Sequence, residues 1–222
     1  MHNHPLSQRP DLSNELIHFI RQPSLDEAFQ VLRKIVAERR LLGGTGFIKG
    51  GHQCVCFTEA PLDSIAEVFW HSSEADLKFM PLGVIVPKRW LFERGGRPVI
   101  YQADDEYYAL PESLRYRHVR YEPDAQPPID ITWEREWRIQ TGELSLDSAA
   151  GRIVVVEEEQ SRALEQDFYS REDDRIANLA SAVGVSQAEQ YRESFPWDVI
   201  VLGTISPEEF ADLVANAGYL DR

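Results

Sequence analysis

A chain of 222 residues, 43% hydrophobic and 27% charged, has the make-up of an ordinary globular protein, long enough for one large domain or two small ones. Its formal net charge of −14 opposes tight nonspecific binding to nucleic acid, which needs clustered Lys and Arg to displace condensed counterions. No apolar run approaches the roughly 20 residues of a membrane-spanning helix, and "MHNHPLSQRP" lacks the basic start and apolar segment of a signal peptide.

In chain order, residues 1–14 read as a flexible polar arm, and 15–222 as a single α+β domain. "ELIHFIR" (15–21) predicts a short buried strand. Ser24 and Glu27 form a capping-box pattern ahead of Leu25, Ala28, Phe29, Leu32, Ile35 and Val36, whose spacing predicts a helix with a basic last turn, stopped at Gly43 and Gly44. "GGTGFIKGGH" is a glycine-rich loop. It follows a helix instead of joining a strand to a helix, so it is no dinucleotide fingerprint. "QCVCFTEA" predicts a second strand, "LDSIAEVFWHSS" a short helix, "MPLGVIVP" a third strand and "KRWLFERGG" a turn of helix. "RPVIYQ", "RYRHVRYEP", "DITWEREWRI" and "GRIVVVEE" predict four further strands. Residues 158–194 are acidic and helical in pattern, and the chain closes on a buried strand, "WDVIVLG", and a helix capped at Ser206.

The stretch 130–139 carries the sharpest chemical signal. As a strand it places Thr132, Glu134, Glu136 and Arg138 on one face, with Trp133, Arg135, Trp137 and Ile139 on the other. A solvated face crossed by ion pairs is one reading. The other joins this face to His18, which interrupts the apolar run "LIHFI", and to Thr58 and Glu59 at the end of "VCFTE". A histidine, a strand-end hydroxyl and a fixed carboxylate suit a nucleotide cleft, in which the carboxylate stabilises an oxocarbenium-like ribose more than its ground state. The indoles of Trp133 and Trp137 would then lock the strand from behind. His52, Cys54 and Cys56 share a face and have metal-binding chemistry, although free cysteines are ordinarily small core residues. Two cysteines so close along a strand suit reduced thiols and a cytoplasmic location.

The segments "LIHFIR…LDEAFQVLRKIVAERRL" resemble the strand–helix opening of the DarT-type ADP-ribosyltransferases. "VCFTEAPL", "VIVPKRWLFERGGRPVIYQ" and "WEREWRI" resemble the AbiGi-type abortive-infection proteins. The resemblance spans roughly 15–140. It implies a split-sheet ADP-ribosyltransferase fold, NAD+ as the substrate that supplies ADP-ribose, and a toxin in phage defence or a toxin–antitoxin pair. His18 would grip the nicotinamide ribose or the diphosphate, Thr58 would support the site, and Glu136 or its neighbour Glu134 would be catalytic. Arg21, Arg89 and Arg97 are the candidates for the arginine. The acceptor would be a protein or, against the net charge, a nucleic acid. The alternatives are an NAD+ glycohydrolase and an inactive antitoxin or binding module; an acidic protein suits a basic partner.

Overall fold

The computed structural model describes residues 13–60, 79–146 and 151–204. The expected N-terminal arm (residues 1–12 of it), the helix in 62–73 and the closing helix capped at Ser206 lie outside the described residues.

Among these, the predicted α+β class holds. The strands are β1 (Glu15–Phe19), β2 (Arg40–Leu42), β3 (Cys54–Thr58), β4 (Gly83–Pro87), β5 (Arg97–Pro98), β6 (Ile100–Gln102), β7 (His118–Arg120), β8 (Glu136–Gln140), β9 (Glu143–Ser145), β10 (Arg152–Val155) and β11 (Asp198–Val201). Seven of them form one mixed sheet in the order β11-β10-β4-β1-β3-β8-β5. Only β10 and β11 run parallel there; the other neighbours are antiparallel. The ribbons β2-β9 and β6-β7 stand beside it.

Alternation along the strands divides the core between the two sheet faces. Leu16, Val55, Phe57, Val84, Val86, Trp137 and Ile139 face α1 (Leu25–Glu38) and the long α3 (Glu158–Val183). Ile17, Phe19, Ile85, Val154 and Ile200 pack on the opposite side. β10 is buried on both faces, which explains why "IVV" is an unbroken apolar run. Complete burial of a side chain such as Leu32 contributes roughly 1.5–3 kcal/mol.

Helix α1 begins as expected, with the Ser24 hydroxyl accepting the Glu27 amide at 3.3 Å. It ends earlier than the glycines predict. Arg39 turns into the left-handed region (φ 50°), and residues 40–42 become β2, which buries Leu41 against Leu144 instead of continuing the helix. The strand expected over 97–102 breaks at Val99: β5 joins the main sheet and β6 pairs with β7. α2 (Lys88–Glu93) is the predicted turn of helix, and the acidic segment supplies α3 and the short α4 (Val185–Ala188). Arg33 of α1 clamps Asp167 of α3 through two hydrogen bonds of 2.6 and 2.8 Å.

Candidate functional site: a cleft where the sheet divides

β1 and β3 are neighbours through a single residue pair, Ile17 with Thr58. Beyond it the His18 side chain reaches across the gap. Its Nδ1–H donates to the Cys56 carbonyl at 2.8 Å, and the ring meets Phe57 edge-on at 5.7 Å. A carbonyl only accepts, so the proton sits on Nδ1 and Nε2 keeps its lone pair. Burial lowers the pKa of His18, the hydrogen bond opposes this, and burial is the larger cause.

At this division opens a cleft of about 1180 Å3. His18 of β1, Thr58 of β3, Glu136 and Arg138 of β8, and Glu134 just before β8 all line it. The register explains part of the gathering: Thr58 pairs with Ile17 on one side and with Glu136 on the other, so β3 and β8 deliver their polar residues to one spot, and His18, the next residue of β1, joins them through the gap. Arg21 also lines the cleft, where its guanidinium lies 4.3 Å from the centre of the Phe47 ring.

Two expectations are corrected. Residues 130–139 are not one strand: Thr132–Glu134 is a turn of 3-10 helix, Arg135 adopts φ 44°, and extended structure begins at Glu136. Asp130 nucleates the turn by accepting both the amide and the hydroxyl of Thr132, at 3.0 and 2.6 Å. Trp133 is therefore 53% exposed and locks nothing, whereas Trp137 is buried and donates its indole N–H to Glu59 at 2.7 Å. Nevertheless, the turn still presents Glu134 to the cleft, and the Thr58 hydroxyl fixes it by donating to the Glu134 carbonyl at 2.5 Å. The second correction concerns the arginines. Arg97 does not line the cleft; its guanidinium donates to the carbonyls of Phe92 and Gly96 at 2.8 and 2.6 Å. Arg89 is likewise outside, paired with Glu93 at 2.8 Å.

The arginine that meets the carboxylates is Arg138. It is 4% exposed and forks onto Glu136, Nε to Oε1 at 2.8 Å and Nη2 to Oε2 at 3.1 Å. Its Nη1 donates to the carbonyls of Tyr116 and His118, at 2.9 and 3.0 Å, so one buried cation joins Glu136 to the opposite wall. The Tyr101 hydroxyl accepts the Glu136 amide at 3.1 Å, and burial raises its own pKa. Nothing in the sequence around Tyr101 signals this role. Cys56 hydrogen-bonds Glu136, and burial and that carboxylate push its thiol pKa far up, so it is a donor and not a nucleophile. Cys54 is buried beside Ile48 and Tyr116. His52 is engaged by Tyr107, at 3.2 Å, and by Gln140.

The far wall carries Lys49, Asp104 and Arg120. Lys49 donates to the carbonyl and carboxylate of Asp104 at 2.7 and 2.8 Å, and Arg120 pairs with Glu122 at 2.5 Å. Both ends of the cleft thus hold paired charges, Arg138 with Glu136 at β8, and Lys49 with Asp104 and Arg120 with Glu122 on the far wall. No family model matches the chain, and neither curated proteins nor solved structures yield a match. None of the described helices is long and apolar enough to cross a membrane.

Proposed function

We propose that the cleft binds NAD+ and that the protein transfers ADP-ribose from it to a macromolecular acceptor. What supports the reading above all is the convergence of His18, Thr58 and Glu136 from neighbouring strands, and of Glu134 from the turn before β8, on one cleft large enough for a dinucleotide. The finer split-sheet ADP-ribosyltransferase fold belongs to the same proposal. In the reaction the bond between ribose C1′ and the nicotinamide nitrogen breaks, and its electron pair leaves with nicotinamide. The ribose becomes oxocarbenium-like, and a carboxylate held by Arg138 needs no reorganisation to face that charge. The acceptor then attacks C1′ and gives up its proton, and the proposal assigns its uptake to Glu134. His18 offers Nε2 to a ribose hydroxyl. The resemblance to abortive-infection and DarT-type proteins extends the proposal to a growth-arresting toxin.

The test measures nicotinamide release by the wild type, Glu134→Gln and Glu136→Gln, with and without cell lysate. The expected outcome is lysate-dependent turnover that falls at least about a hundredfold in Glu136→Gln. Turnover without lysate would indicate a glycohydrolase. A second reading, a binding module without chemistry, draws on one observation: both oxygens of Glu136 are already held by Arg138. It predicts that NAD+ raises the melting temperature while no variant or condition releases nicotinamide.

A further inference from the structure

Phe47 is the most exposed large hydrophobic among the described residues, at 87%, and it lines the cleft. A single exposed phenylalanine is unremarkable on a surface, but this one occupies an unfavourable backbone position. The Ile48 amide bonds the Thr45 carbonyl at 3.3 Å, closing a turn in which Phe47 takes the third place with φ 61°. That place ordinarily takes glycine, and a bulky side chain there is strained. The other two described non-glycine residues with positive φ have local reasons: Arg39 ends α1 and Arg135 separates a turn from β8. Phe47 terminates nothing.

The chain that carries the ring is anchored. Ile48, the next residue, is buried with Cys54 and Tyr116, and Lys49 is tied to Asp104. Arg21 covers one ring face at 4.3 Å. With the ring so exposed, its other face is open, whereas the Arg138–Glu136 pair in the same cleft is largely buried. An exposed aromatic ring with a cation on one face is a stacking surface for a planar heterocycle.

We propose that Phe47, braced by Arg21, stacks the purine ring of the ligand and so selects an adenine dinucleotide by the end remote from the scissile bond. This rests on the NAD+ reading and adds a specificity residue to it. The test is titration calorimetry of the full-length wild type, Phe47→Gly, Phe47→Trp and Arg21→Gln with two probes. ADP-ribose carries the adenine, and nicotinamide mononucleotide lacks it. Phe47→Gly is expected to weaken ADP-ribose about tenfold or more, to leave the mononucleotide within twofold, and to hold the melting temperature, since glycine accepts φ 61° freely. Phe47→Trp keeps ADP-ribose binding, and Arg21→Gln weakens it less than Phe47→Gly does. If ADP-ribose affinity is unchanged in Phe47→Gly, or both probes lose equally, the stacking role is wrong while the cleft reading survives. If the wild type binds neither probe, both fall together.

Discussion

His18 is kept neutral by its surroundings, and that has a measurable consequence. Burial lowers its pKa from the ordinary 6.5, so the folded protein takes up this proton only at a lower pH than the unfolded chain does. As pH falls below about 6.5 the unfolded state binds the proton first, and stability declines until the folded pKa is reached, by at most about 1.4 kcal/mol per pH unit. His18→Gln removes the titration and keeps a donor for the Cys56 carbonyl. Between about pH 7.5 and 5.5 the melting temperature of the wild type should therefore fall more than that of the variant. Equal slopes would mean that His18 is no more buried than an ordinary surface histidine. The sequence marks this residue because a polar side chain interrupts an apolar run, and it marks Glu134 and Glu136 because alternation sets them apart. It gives no such mark to Tyr101, whose hydroxyl meets the Glu136 amide, or to the Tyr116 and His118 carbonyls that Arg138 bonds, because these contacts join segments distant in the chain, whereas Glu136 and Arg138 already share a face of one strand.

Elements fix where those residues stand, and the approach of β4 to β1 is the tightest constraint on His18. A Cβ on Gly83 would lie 2.3 Å from the His18 carbonyl oxygen, so the two strands pass closer there than any side chain permits. Gly83→Ala must push them apart and shift His18 in the gap beside β3. The expected cost is about 1–3 kcal/mol, read as a lower denaturation midpoint, together with weaker ADP-ribose binding. Gly44→Ala serves as control: a Cβ there meets nothing within 4 Å, and stability should hold. If the two variants behave alike, the contact does not position the site. At this scale β1, β3, β4, β10, β11 and the start of α1 were legible, since each has an apolar pattern of the right period and a clear boundary. The stretch 130–139 misled because its alternation continues through a turn that Asp130 caps, and a cap of that kind leaves the period of the side chains untouched.

Across the whole molecule, the surplus of carboxylates does not translate into a uniform acid response. Glu172 on α3 accepts Arg175 at 2.6 and 2.7 Å and the Glu193 amide at 2.7 Å, which drives its pKa down to about 2. A depressed carboxylate contributes fully above its ordinary 4.5, and that contribution disappears as pH falls from there towards about 2. Between about pH 5 and 2.5, the melting temperature of the wild type should drop more steeply than that of Glu172→Gln; parallel curves would show that the cluster adds nothing to acid stability. The acidic helical segment was legible from composition, but its packing through Arg33 and Asp167 was not, since complementary charges on separate helices carry no record of which pairs meet. The divided sheet has one more implication. β1, β4, β10 and β11 lie on one side of the seam, and β3, β8 and β5 on the other, so the chain crosses it after β1, after β3, after β4 and again after β8. Where hydrogen bonds are fewest, the covalent backbone itself does the stitching: no single cut in the chain would release either side intact.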